Sequence, residues 1–253
     1  MLAQIWPRVA LVAAILLVWW AVAASDLAPD WALPSPGDVW EQLTANLFGE
    51  GGLLVAAQRS LLRLAIGMAA AVVIGTLLGI AMAASGPVQR SVGTLMTGLQ
   101  ALPSIAWLPL AAVWLGFGER AVLFVVVIGA FPAIAIATAA SLRQAPPTLV
   151  RAGRTLGARG WTLYRRVVLP AAVPGYWAGL QQAWAIAWRA LMAGELIIAG
   201  GVGLGHLLGR ASFDTSLILA VMVVIVVIGV AVDYLFASVD RRIRRRRGLI
   251  ATA

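Results

Sequence analysis

Five stretches of this sequence, residues 64–89, 91–118, 121–142, 167–188 and 215–232, contain no Asp, Glu, Arg or Lys. An α-helix rises about 1.5 Å per residue, so each window supplies the roughly 18 to 20 residues that cross the hydrocarbon core of a bilayer. Water cannot satisfy backbone N–H and C=O groups inside that core, so a crossing segment must pair them within itself or within a closed barrel. Runs of this length exceed barrel strands, and the spans are expected to be helices. Residues 9–24 are a sixth candidate. With 62% of its residues hydrophobic and 11% charged, the chain departs from the about 45–50% apolar content of soluble domains. The expected fold class is all-α: a polytopic membrane protein with about six transmembrane helices, in one domain spanning residues 1–253.

The first candidate span has two readings. "PRVALVAAILLVWWAVAAS" has the basic start, apolar centre and Ala-x-Ala ending of a secretory signal peptide, and it is also long enough to cross a membrane. With Met1 in place, a retained span is the expectation.

Residue absences exclude whole classes of chemistry. All 19 basic residues are arginine, cysteine is missing, and histidine occurs once, at His206. Without lysine there is no Walker A phosphate loop and no Schiff base; without cysteine there is no thiol nucleophile, disulfide or thiolate metal site. No G-x-S-x-G elbow accompanies His206. Neither catalytic residues nor a metal site are expected. The net charge of +9 does not point to nucleic acid, because the arginines flank apolar spans, where lipid headgroups and membrane orientation account for them.

Charge asymmetry orders the threading. With the N-terminus in the cytoplasm, six crossings place Arg8, Arg90, Arg143, the arginines of residues 145–174 and those of the tail "DRRIRRRRG" on one side. The other side receives Arg59, Arg63, Arg120 and Arg210 with Asp26, Asp30, Asp38, Glu41, Glu50, Glu119 and Asp214. The positive-inside rule makes the first side cytoplasmic, with Arg59 and Arg63 its weakest points. Residues 25–58 then form an external loop, in which Pro36 to Leu47 suits an interfacial amphipathic helix, and residues 239–253 form a basic cytoplasmic tail.

Between two apolar runs, "LVRAGRTLGARGWTLYRRVVLPAAVP" carries five arginines and no acid. Pro146 and Pro147 stop the preceding helix, and Pro147 suits the first turn of a new one. On that short helix Ala152 and Leu156 stand four apart, as do Gly153 and Gly157, giving a small smooth face; Arg151 and Arg154 form a separate basic edge. Gly157 and Gly160 bracket a turn, after which a second short helix is expected to end around Pro170. The pattern suits a hairpin that seats in a cleft of another protein.

The order "A-x-x-x-x-G-A … V-V-L-P-A-A-x-P" resembles the coupling loop of permease subunits in bacterial ATP-binding-cassette importers. "LPSPGDVW", "RSLLRLAIG", "ALPSIAWLPLAAVWLGFGE", "AWRALMAGELI" and "GVGLGHLL" are similar, in that order, to the branch of type I importers serving nitrate, taurine and alkanesulfonates. The resemblance runs from about Leu33 to Asp240. It implies that Arg151, Ala152, Gly153, Arg154, Leu156, Gly157, Ala158, Leu169 and Pro170 contact an ATPase. Ala152, Gly157, Leu169 and Pro170 match the family's pattern. Arg151 stands where the family has Glu, and Gly153 where it has a second Ala.

Ionisable groups within spans are costly and mark candidate solute contacts, here Arg189 and Glu195. Six residues place them about 9 Å apart along a helix and about 120° around it. Arg189 can attract an anion, or pair with Glu195 or a neighbouring helix; Glu195 can be architectural, gating or solute-contacting. Gln181, Trp184 and Trp188 recur at helical spacing and give one possible lining face. Pro103 and Pro109, with Ser104 and Trp107 between them, interrupt regular helix where a cavity can accept freed carbonyls. Gly75, Gly79 and Ala83 permit close helix contact, and the glycines around His206 can form a re-entrant turn.

The resemblance implies a non-catalytic subunit of the bacterial inner membrane. It would pair with a second copy of itself, two cytoplasmic ATPase subunits that bind ATP and Mg, and an extracytoplasmic substrate-binding protein. A small, anionic or sulfonate-like solute is the expectation; a non-anionic solute such as a pyrimidine precursor, or an ATP-independent carrier, is the alternative.

Overall fold

The computed structural model describes residues 2–25, 29, 31–49, 51–198, 201–211 and 214–246. Asp26, Asp30, Glu50 and the tail beyond Arg246 lie outside the described residues. Those that are described form helices and turns with no strand. In order they are α1 (Leu2–Ala23), α2 (Pro36–Ala45), α3 (Leu53–Ala84), α4 (Gly86–Ala101), α5 (Leu108–Leu115), α6 (Glu119–Arg143), α7 (Pro147–Thr155), α8 (Gly160–Leu163), α9 (Leu169–Ile197), α10 (Leu204–Arg210) and α11 (Thr215–Arg246). A 3₁₀ turn, Ser104–Trp107, precedes α5, and a π turn, Tyr164–Val168, precedes α9.

Three of these helices, α3, α6 and α11, are long and apolar enough to cross a membrane; α4 with residues 104–115 makes a fourth if that bent pair is one span. The expected six are not reached by this measure. The apolar stretch of α1 covers only Val9–Ala23. Helix α9 has the length, but Gln181, Gln182, Arg189 and Glu195 dilute its apolar character. Leu17, Leu77 and Val230 are 64–65% exposed, as expected of side chains that face acyl chains rather than water.

The chain forms two compact units. The first comprises residues 1–60 and 202–228. Ser35 and Asp38 close a capping box on α2, in which Ser35 Oγ accepts from the Asp38 N–H at 3.2 Å and Asp38 Oδ2 accepts from the Ser35 N–H at 2.9 Å. Trp19 Nε1 donates to Pro34 O at 3.1 Å and Thr215 Oγ1 to Trp31 O at 2.6 Å, tying the connecting segment to α1 and α11. Leu204 N–H donates to Ser60 Oγ at 2.9 Å, satisfying an otherwise orphaned donor at the start of α10. His206 is buried on that helix. Helix α3 begins at Leu53, so the expected loop of residues 25–58 is shorter by its last turn and a half.

The second unit, residues 61–201 and 229–253, is organised around α6. Its side chains are apolar on every face, and a helix of that kind is stable only when neighbours cover it all round. Val122, Val125, Val126, Ala130, Ile134 and Ala135 are buried, with α4, α5 and α9 packed around them. Glycines set the closest approaches. A methyl group at Gly75 would meet Phe131 O at 2.6 Å, and one at Gly79 would collide with Thr138 and lie 2.7 Å from Ala135 O. Gly179 leaves room in the same way for Ala137. The expected G-x-x-x-G contact is therefore the seam between α3 and α6. The basic tail is helical through Arg246, and Arg244 Nε pairs with Asp240 Oδ2 one turn back at 2.7 Å.

Candidate functional site

Helix α7 opens at Pro147, where a missing N–H costs nothing because first-turn donors lack intrahelical partners. It ends on Leu156, and Gly157 takes φ 84°, a conformation that would strain any other residue. The Gly157 N–H donates to Arg154 O at 3.0 Å and the Ala158 N–H to Gly153 O at 2.9 Å, the paired bonds of a Schellman turn. The returning arm packs back on α7, so that a methyl at Gly153 would sit 2.9 Å from Val167 and 3.0 Å from Leu163. Gly153 is thus buried inside the hairpin, where the sequence suggested an outward docking surface. Arg151, Ala152, Arg154, Leu156 and Gly157 are exposed, and Ala158 is half-buried. Trp161 and Tyr164 stack at 5.9 Å, and burial pushes the Tyr164 phenol above its ordinary value.

The second arm does not end at Pro170 as expected. Residues 164–168 widen into a π turn and the chain continues helically through Leu169 and Pro170 into α9. A proline ring clashes with the carbonyl four residues earlier, and a π turn moves that carbonyl out of register. Leu169 is half-buried and Pro170 exposed at this junction. A hollow of about 530 Å³ opens beside it, lined by Thr76, Arg165, Leu169, Pro170 and Tyr176 among others.

The candidate solute contacts fall into two groups. Helices α4 and α5 meet at a 96° bend, where Leu102 and Pro103 are extended before the 3₁₀ turn. Pro103, Ser104, Trp107 and Arg189 line one hollow of about 390 Å³ with Gln100, Gly129, Ile186 and Ala193. Ile186, Arg189 and Ala193 follow at helical spacing, so one face of α9 fronts the bend. A methyl at Gly129 would meet Ser104 Cβ at 2.9 Å, so this glycine lets the turn lie against α6. Arg189 is exposed in the hollow; its Nε donates to Ala185 O at 3.0 Å, and it makes no ion pair among the described residues.

Gln181, Trp184, Trp188 and Glu195 are elsewhere. Trp184 and Trp188 stack at 5.7 Å, with Phe236 6.2 Å from Trp184, and Gln181 Nε2 reaches Asp233 Oδ1 at 3.5 Å. That face of α9 packs on α11. Glu195 is fully buried, and its Oε1 accepts from Arg63 Nη1 at 2.8 Å; Arg63 Nε donates to Glu119 Oε1 at 3.0 Å. The Arg189–Glu195 pair that the sequence left open does not form. Sequence reading missed Arg63, Gln100 and Gly129. Arg63 alone left a trace, as a cation out of place in the charge asymmetry, and its burial between two carboxylates explains why that position tolerates it.

A family model described as "Binding-protein-dependent transport system inner membrane component" matches residues 43–245. The taurine transport system permease protein TauC of Escherichia coli is 30% identical over 247 residues, covering 95% of this chain and 89% of that protein. The nitrate import permease protein NrtB of Synechocystis is 32% identical over 231 residues, covering 88% and 82%. Among solved structures, the inward-facing MetNI methionine ABC transporter superposes with a TM-score of 0.64 at 21% identity, covering 83% of this chain and 99% of that one. At that identity the likeness concerns the fold.

Proposed function

The chain belongs to the family of binding-protein-dependent transport system inner membrane components, and from that premise we propose that it is the permease subunit of an ATP-driven importer for a small oxyanion-bearing solute. Arg189 carries the solute reading. A guanidinium facing a hollow, with the Ala185 carbonyl as its partner and no carboxylate beside it among the described residues, is positioned to receive an anion. Glu195 cannot compete for it, being held by Arg63. The relatives named for taurine and nitrate support this class, since both solutes carry an oxyanion.

In this reading the hairpin of residues 145–174 faces the cytoplasm, as do both termini, and docks on an ATPase that binds ATP and Mg. A second copy completes the pathway, and a soluble binding protein delivers solute from outside. The hairpin has no hinge at Pro170, and from there to Arg189 one helix runs about 28 Å. Displacement of the hairpin by ATPase closure is therefore carried as a rigid-body movement to the hollow, switching access from one side to the other.

The test is reconstitution in vesicles with the ATPase and with candidate binding proteins loaded with taurine, another sulfonate, nitrate or a pyrimidine precursor. ATP-dependent uptake of an oxyanion supports the proposal. Uptake without the ATPase, or uptake restricted to an uncharged solute, refutes it.

A further inference from the structure

A second polar station lies on α4, between the hairpin-side end of that helix and the bend. Arg90, Thr94, Thr97 and Ala101 follow at spacings of four, three and four, so they share a face, and all are exposed. They front an open hollow of about 870 Å³ that Gln89 also lines. Two groups here lack partners among the described residues. Arg90 makes no ion pair, and Oε1 of Gln89 is buried with no hydrogen-bond partner. The threonines give their protons to the helix, Thr94 to Arg90 O at 2.7 Å and Thr97 to Gly93 O at 3.0 Å, which leaves their oxygens free to order water. Headgroups at the end of α4 account for a cation at Arg90, but not for the polar face that Thr94 and Thr97 continue about two turns toward the bend.

We propose that Arg90 is a second binding station for the solute's oxyanion, reached by a hydrated passage along α4. The proposal rests on the reading that the bend lines the pathway. Eleven residues separate Arg90 from Ala101 at the bend, about 16 Å of helix. A single cation that binds an anion tightly also slows its release. A second cation farther along offers the anion somewhere to go, the arrangement by which conducting sites combine binding with exit. The ligand class is a small sulfonate or oxoacid anion.

The chain has no cysteine, so Thr97→Cys introduces the only thiol. Two water-soluble methanethiosulfonates of similar size serve as probes, one ending in ethylsulfonate and the other in ethyltrimethylammonium, applied at low salt to the permease assembled with its ATPase. Position 97 lies about 10 Å along the helix from Arg90, close enough for its field to favour the sulfonate reagent by about tenfold or more. That preference is expected to be kept with Arg90→Lys and to fall to near unity with Arg90→Gln, with complex assembly and melting temperature unchanged. A thiol unreactive toward both reagents places the face in lipid or a dry contact and overturns the station. A preference that survives Arg90→Gln overturns it too. If the preference depends on Arg90 but oxyanion uptake does not need the ATPase, the importer reading fails and the station stands.

Discussion

Nη1 of Arg63 lies 2.8 Å from Oε1 of Glu195, joining α3 to the far end of α9 in a position where Glu195 is wholly buried. Glu119, at the first turn of α6, shares the same guanidinium at 3.0 Å and is more than half exposed. Three helices of the second unit are thus pinned by one arginine. Removing one partner of a buried pair costs more than replacing both by apolar groups.

Arg63→Ala is accordingly expected to destabilise the protein by about 3–5 kcal/mol. The double variant Arg63→Met with Glu195→Leu should recover most of that loss, because it removes both charges. Thermal unfolding in detergent, read as a double-mutant cycle, separates the two outcomes. An Arg63→Ala protein as stable as the parent would show that the pair holds nothing together.

Among the described residues Arg189 touches no carboxylate, so its loss should spare stability and impair solute handling. For Arg189→Gln the KM for oxyanion uptake is expected to rise by on the order of tenfold or more, with Arg189→Lys intermediate, since an ammonium keeps the charge but loses the forked geometry. Uptake kinetics in vesicles provide the measurement. Unchanged KM with Gln would remove Arg189 from the pathway.

Gly153 is the closing contact of the hairpin. Gly153→Leu should wedge Leu163 and Val167 away from α7 and uncouple ATP hydrolysis from uptake while leaving expression and membrane insertion intact, because the disturbance is confined to the hairpin. ATPase activity and transport measured on the same vesicles test this. If coupling persists, the two arms do not need to move as one piece.

The seam between α3 and α6 leaves no room for a side chain at Gly79, where the obstructing atoms include the Ala135 carbonyl as well as Thr138. A backbone oxygen cannot rotate away. Gly79→Ala is expected to cost about 1–3 kcal/mol and Gly79→Leu to prevent accumulation of folded protein. Melting temperature and yield are the readouts, and a stable Gly79→Leu protein would contradict the close approach.

The amphipathic helix at Pro36, the break around Pro103, the short helix opened by Pro147 and the glycine seam of α3 were all legible in the sequence. Each depends on local chemistry: a proline ring, a missing Cβ or a capping side chain acts within a turn or two of its own position. The polar break was legible for the same reason, and so were the residues Pro103, Ser104 and Trp107 that form it. Helix α9 was not. Gln181, Trp184 and Trp188 share a face by periodicity, but periodicity says nothing about which neighbour that face meets, and Phe236 and Asp233 lie more than fifty residues away.

By itself the sequence determined the solvent and the material of this protein: uncharged windows of bilayer length leave helix as the one economical way to pair a backbone away from water. Only the tertiary structure decided the partners. It turned Gly153 inward, carried the second arm of the hairpin through Pro170 without a break, and gave Glu195 to Arg63 so that Arg189 was left facing a hollow. Charge pairing and helix facing are settled by which surfaces meet across long separations in the chain, and residue spacing along a single helix cannot encode that.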